Sequence, residues 1–393
     1  MDNINKQNGG PGTVNHLEQS PVTRVEIDLD RLEHNVRVLQ HSLGASVSML
    51  PVVKANAYGH GDISVSERLQ HVSGVKGLAV ASVAEGMKLR SAGIVVPIKI
   101  LEHSMPGQER EIVEYDLISF ITGPDMIREL ALQAKQRQKK VPVQIRVDTE
   151  TGNMGLTLEE LPGICRKLKD MPWLECVGVF THLYSAYSQN DRLVSGQLAL
   201  FNRALEIAQE LEMPISSVHA ASSPAILRYP AAHYNVVRPG TVLYGLPSFA
   251  DQLTGDYRAV MQLKSRINSI KKIPADSMIT GYTTGICCSS SMRLATVPLG
   301  YADAPFLMNM KEGEGEVLVR QKKVPVVGSP FMMHLLIDVT GLPDVRVGDE
   351  VVFFGKQGEA EIKAEEVAQK AGIGVTNCEK VCFLSSRIPR SIK

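Results

Sequence analysis

The run Pro51-Val52-Val53-Lys54-Ala55-Asn56-Ala57-Tyr58-Gly59-His60-Gly61 ends an apolar, β-branched stretch on one lysine and follows it with a turn rich in Gly, Asn and His. A strand that buries the stem of Lys54 would lower its pKa, because burial disfavours the charged form, and a neutral amine attacks carbonyls such as an aldehyde. The plainer alternative is a surface lysine closing a strand, since lysine is seldom buried without a partner. Other residues of chemical promise are His182 in Val179-Phe180-Thr181-His182-Leu183, Ser222 and Ser223 before Pro224, and Arg238 before Pro239-Gly240-Thr241. Each has a structural reading too: His182 as a core histidine, Ser223 as a helix cap ahead of a proline at the first helical position.

From about Leu32 to Leu246 helical and strand patterns alternate at the pace of repeated βα units, which predicts a parallel sheet. Strands are expected at Met49 to Val53, Leu78 to Ala81, Ile98 to Leu101, Leu117 to Phe120, Val141 to Val147, Val177 to Phe180, Ser217 to His219 and Val236 to Arg238. Eight such units close naturally into a TIM barrel; a doubly wound open sheet is the competitor, and no G-x-G-x-x-G opening favours it. Lys54, the segment Asp148 to Gly155, His182, Ser222 and Ser223, and Arg238 to Thr241 all follow strand ends. In a barrel those ends converge on one rim, where backbone N–H groups commonly hold a phosphate.

From about Asp251 the pattern changes to short β-rich runs, which implies a separate, mainly-β domain. The expected organisation is a flexible extension over 1–20, a barrel over 31–248, and a β domain built from 21–30 with 249–393. With 393 residues, 42 basic against 42 acidic side chains, and 44% hydrophobic composition, the chain reads as a two-domain globular protein without the charge bias of a nucleic-acid or anionic-membrane binder. No apolar run approaches the length of a membrane helix, and the N-terminal segment has no apolar signal core. The six cysteines lack paired C-x-x-C spacing, so no metal site is expected and a reducing cytoplasm is the simplest setting.

The peptide around Lys54 resembles the pyridoxal 5'-phosphate (PLP) attachment motif of the alanine racemase family, and further segments resemble that family along most of the chain. The resemblance implies a PLP Schiff base on Lys54, with Lys54 also serving as one racemisation base and Tyr58 reaching the cofactor phosphate. It places His182 against the cofactor ring, Ser223, Gly240 and Thr241 at the phosphate, and Arg238 facing the pyridine nitrogen. Thr280-Gly281-Tyr282-Thr283-Thr284 and Pro298-Leu299-Gly300-Tyr301-Ala302-Asp303 match two family tyrosines, so Tyr282 aligns with the second base and Tyr301 with the substrate. Free tyrosine ionises near pH 10, so that base needs a cationic neighbourhood. The family also implies a head-to-tail homodimer in which this tyrosine enters from the partner.

Departures surround the cofactor's phenolic side. Asn153 stands at a family arginine beside that oxygen, and Arg146 at the lysine that orients it. Met332 matches a Met-Asp element whose aspartate has become Met333; Tyr187 replaces an aspartate, and Ile392 stands at a tyrosine position associated with phosphate. These changes leave the two bases in place. The expected function is racemisation of an amino acid, alanine or another, with His334 or Arg146 as replacement cation near the carboxylate. A fold-related PLP decarboxylase or aldolase and a nonenzymatic PLP-binding homologue remain as alternatives.

Overall fold

The computed structural model describes residues 21–188, 190–249, 255–280, 285–310 and 313–393. Tyr282 therefore lies outside the described residues. The chain opens with β1 (Arg24–Ile27), followed by a helix over Leu29–Leu43 whose first turn is capped when Asp28 Oδ1 accepts the Arg31 N–H.

Eight parallel strands then build a barrel: β2 (Ser48–Met49), β3 (Leu78–Val80), β4 (Ile98–Ile100), β5 (Leu117–Ile121), β6 (Val141–Arg146), β7 (Leu174–Phe180), β8 (Ser217–His219) and β9 (Val236–Val237). Strands β3 to β8 pair in sequence order, and β2 pairs with β9. Single bridges from Val52 to Ala79 and from Ser222 to Arg238 complete the ring. The first strand is shorter than its apolar run because Pro51 has no N–H to donate. The run nevertheless stays in the barrel wall, with Leu50 N bonding Val237 O, Val52 N bonding Pro239 O and Val53 N bonding Ala79 O.

The second region is mainly β. Strand β1 pairs antiparallel with Met261–Arg266, which pairs in turn with Glu350–Gln357, so the N-terminal strand is part of this sheet. Two strands, Met261–Arg266 and Ser269–Ile273, follow one another here, and the chain turns between them to join different neighbours. A helix, Ala364–Lys370, and a 3-10 segment, Val375–Cys382, were not apparent from the pattern. Among the described residues no helix is long and apolar enough to cross a membrane.

Candidate active site

Lys54 leaves the first barrel strand and enters an unusual turn. Ala55, Asn56, Ala57 and Tyr58 have φ of 53°, 56°, 51° and 54°, a left-handed run of four residues that all carry a Cβ. Each such residue costs roughly 1–2 kcal/mol, so the turn persists only because its surroundings hold it. Glu85 is the main brace: Oε1 accepts the Ala55 N–H at 2.7 Å and Oε2 accepts the Ala81 N–H at 2.7 Å. Asn56 Oδ1 accepts from Asp62 N at 3.1 Å. Buried His60 directs Nδ1 at the Ala57 and Tyr58 carbonyls, 3.0 Å from each, which fixes the proton on Nδ1. Burial pushes His60 down to about 4, so the ring is neutral at neutral pH. Gly59 closes the turn at φ 84°, where a Cβ would stand 2.0 Å from the Cys382 carbonyl oxygen.

The expected burial of Lys54 is not found. Its side chain is 37% exposed and its Nζ faces Glu102 Oε1 at 3.4 Å, because the left-handed turn carries the stem out of the strand's packing. Lys54 opens onto a cavity of about 340 Å³ at the carboxyl ends of the barrel strands. Tyr58, Arg146, His182, Ser222, Ser223, Arg238, Gly240 and Thr241 line the same cavity.

Beneath it the barrel interior holds a column of cationic and neutral polar groups. Arg238, only 3% exposed, donates from Nη1 to His219 Nδ1 at 2.8 Å and to His219 O at 2.9 Å. Its Nη2 donates to Thr181 O, Ala220 O and His182 Nδ1 at 2.8, 3.0 and 3.4 Å. A guanidinium only donates, so His219 Nδ1 accepts and the proton sits on Nε2, which donates to Gln144 Oε1 at 2.8 Å. Burial, reinforced by Lys99 and Arg238, holds His219 well below its ordinary value. Burial, with Arg238 and Arg146 nearby, pushes His182 down to about 3. Both imidazoles are thus neutral. Burial and the neighbouring Arg146 bring Arg238 to about 9, still protonated at neutral pH. The Phe180 ring supports both guanidinium groups, with centroid distances of 5.7 Å to Arg146 and 5.6 Å to Arg238.

The third component is a hydroxyl and backbone cradle. Ser223 Oγ accepts from Gly240 N at 2.9 Å and Val242 N at 3.3 Å. Gly240 is required by space rather than dihedral angle, since a Cβ there would lie 2.7 Å from the Tyr58 hydroxyl. Ser222 Oγ is buried with no partner among the described residues. An orphaned hydroxyl beside a glycine-walled recess fits the oxygen-rich end of an anionic ligand such as a phosphate.

Comparison with known proteins now bears on this arrangement. Residues 27–248 match the family model described as alanine racemase, N-terminal domain, and residues 260–392 match alanine racemase, C-terminal domain. The chain belongs to the alanine racemase family. An alanine racemase of Halothermothrix orenii is 36% identical over 94% of this chain and 97% of its own length. Alanine racemase 2 of Caldanaerobacter subterraneus subsp. tengcongensis is 37% identical over 94% of each chain. Among solved structures, alanine racemase from Bacillus anthracis with bound L-Ala-P superposes with a TM-score of 0.86 at 31% identity, covering 95% of this chain and 96% of that one.

Set against the family pattern, the structure brings some expected residues together and separates others. Asn153 is exposed and does not line the cavity; it reaches it through Tyr184, whose hydroxyl accepts from Asn153 Nδ2 at 2.9 Å. Tyr301, Met332 and Met333 lie in the second region, where Tyr301 N bonds Phe331 O and Ala302 N bonds Met332 O, and none lines this cavity. His334 stacks on Phe331, 4.4 Å between centroids, in that same group, so within one chain the replacement cation at the cavity is Arg146 rather than His334. Ile392 lies in the strand Arg390–Ile392, paired with Ile27, and does not line this cavity of its own chain. Tyr187 does line it, together with Tyr184, Glu102, Glu379 and Phe383. Of these, Tyr184, Glu102, Glu379 and Phe383 carry no periodicity or motif that marks them, although Tyr184 follows His182 closely in sequence.

Proposed function

We propose that this chain is a PLP-dependent racemase that interconverts the enantiomers of a small amino acid. The observation that carries this reading is the convergence, on one cavity, of an accessible amine, a hydroxyl and backbone cradle, and a guanidinium with no carboxylate partner among the described residues. The cofactor fits these residues: Lys54 would hold its aldehyde carbon, Tyr58, Ser222, Ser223, Gly240 and Thr241 its phosphate, and His182 the face of its ring. When bound, PLP supplies an electron-withdrawing ring that acidifies the Cα hydrogen of an attached amino acid.

Arg238 spends both terminal nitrogens on protein acceptors and has no protein partner at Nε among the described residues, which leaves that N–H for the ring nitrogen. An arginine there would donate a hydrogen bond without surrendering its proton, so a pyridine ring held by Arg238 would be a weaker electron sink than one held by a carboxylate. Lys54 takes or returns that proton on one face. Tyr282, which lies outside the described residues, is assigned to the other face by the family resemblance.

Because Tyr301, Met332 and Met333 stand apart from the cavity of their own chain, we assign a homodimer in which each subunit completes the other's site. Six unpaired cysteines support a reducing, cytoplasmic setting. Incubating the PLP-loaded protein with single amino acids in D₂O tests the function by following Cα deuteration and chirality together. Racemisation gives both signals. Deuteration without inversion rejects the second base, and a different product favours another PLP reaction.

A further inference from the structure

Tyr184 has no part in the roles assigned so far, yet its hydrogen bonds leave it a proton to give. Arg146 Nη2 stands 3.2 Å from the Tyr184 hydroxyl and Asn153 Nδ2 stands 2.9 Å from it. A guanidinium and an amide nitrogen can only donate, so the phenolic oxygen accepts both bonds and its single O–H is committed to neither. The side chain is 40% exposed and lines the cavity. Its ring packs edge-on against His182, with centroids 4.4 Å apart and planes at 76°, which places it beside the imidazole assigned to the cofactor ring.

The charge behind Tyr184 is equally uncommitted. Arg146 is buried at 4% exposure, donates from Nη1 to Leu101 O at 2.8 Å, and has no carboxylate within ion-pair distance among the described residues. Its Nε is buried without a partner. A hydroxyl that accepts from a guanidinium is polarised toward donation, since linked hydrogen bonds strengthen one another in a low-dielectric interior. The only proton on this network that faces the cavity from a fixed oxygen is that of Tyr184.

We propose that Tyr184 donates its O–H to an anionic oxygen of the bound cofactor and amino acid, with Arg146 and Asn153 as positioning residues that hold and polarise it. This rests on the PLP reading above. Two oxygens have the required chemistry: the phenolic oxygen of the cofactor ring and the carboxylate of the amino acid. On either, a phenol carries the Arg146 charge one hydrogen bond further into the cavity, which the neutral amide of Asn153 cannot do alone.

The test is Tyr184→Phe, which keeps the ring and removes the O–H, in the PLP-loaded protein. The pH titration of the cofactor's visible absorbance is recorded without amino acid, and the dissociation constant of acetate is read from its perturbation of that absorbance. A shifted titration identifies the cofactor oxygen. A roughly tenfold weaker acetate affinity, with KM raised more than kcat falls, identifies the carboxylate. If neither readout moves, the proposal is overturned. Arg146→Met should act through the same hydroxyl, so its effect and that of Tyr184→Phe should combine to less than their sum; full additivity would overturn the positioning role. Neither spectral readout needs turnover, so both survive a failure of the racemase assignment. A wild-type protein that acquires no visible absorbance would sink the cofactor reading and this inference with it.

Discussion

The barrel interior and the sheet of the second region both bury charge, but they treat it in opposite ways. In the sheet, Glu26 on β1 is 5% exposed and meets Arg24, Lys264 and Lys393 at 2.8, 3.2 and 2.5 Å. In the barrel, Lys99, Arg146 and Arg238 are as deeply buried and have no carboxylate partner among the described residues; their hydrogen bonds go instead to carbonyls, hydroxyls, a thioether and neutral imidazoles. Burial and Arg238 together push Lys99 down to about 8. Balanced burial in the sheet is complete within the fold. Buried positive charge without a buried carboxylate beside it is costly, and on the proposed reading an anion entering the cavity would offset that cost for Arg146 and Arg238, so the same physical feature reads as structure in one region and as a binding site in the other.

The largest effect on this contrast should come from Lys54→Ala, which removes the amine at the mouth of the cationic column. Turnover should fall by roughly 10³- to 10⁴-fold, the range of a lost proton-transfer group, and the cofactor should be released on gel filtration. Retention of a covalent cofactor would place the anchor elsewhere. Next, Glu26→Gln should cost about 3–5 kcal/mol in urea unfolding, because three cations would then surround a neutral amide. It should leave the stabilisation gained on adding PLP unchanged, since that gain belongs to the barrel.

The two regions should also differ in their response to acid. Although burial alone would raise Glu26, Lys393, Lys264 and Arg24 hold it at about 2. Its stabilisation is present above the ordinary carboxylate value of 4.5 and is lost as pH falls from there toward 2. His60 behaves differently: burial lowers it from 6.5 to about 4, so the unfolded chain takes up a proton over that interval while the folded chain does not. His60 alone should therefore lower stability by on the order of 3 kcal/mol as pH falls from 6.5 toward 4; the neutral His182 and His219 act in the same direction over the same interval, most of which lies above the range where Glu26 is lost. Urea midpoints across that window check the order, and a flat response between pH 6.5 and 4.5 would contradict it. The smallest effect should follow Glu85→Gln, which keeps one acceptor for the left-handed turn and loses charge-assisted bonding. A loss of about 1–2 kcal/mol is expected, with weaker cofactor retention than in Glu26→Gln.

Much of this contrast was legible before any coordinate. The eight apolar runs from Met49 to Arg238 coincide with the barrel strands because a strand buried on both sides must be apolar along its length, and that constraint is local. Lys54, His182, Ser223 and Arg238 could be placed on one rim because strand polarity alone decides which end they follow. Exposure of Lys54 could not be read, since it depends on four consecutive left-handed residues for which only Gly59 and Gly61 gave a hint. Tyr184 escaped notice because its significance is a pair of contacts with Arg146, 38 residues away, and Asn153, 31 residues away.

The sequence by itself determined the barrel, the mainly-β second region, the family and the candidate amine, because each depends on periodicity or on a contiguous peptide. Tertiary structure decided which charges are balanced: Glu26 finds Lys264 and Lys393 across the sheet, while Arg146 and Arg238 meet over Phe180 with no carboxylate partner among the described residues. Charge compensation is a property of distance in space. No residue type states it, and it separates the barrel's buried guanidinium groups from the sheet that holds its own counter-charges.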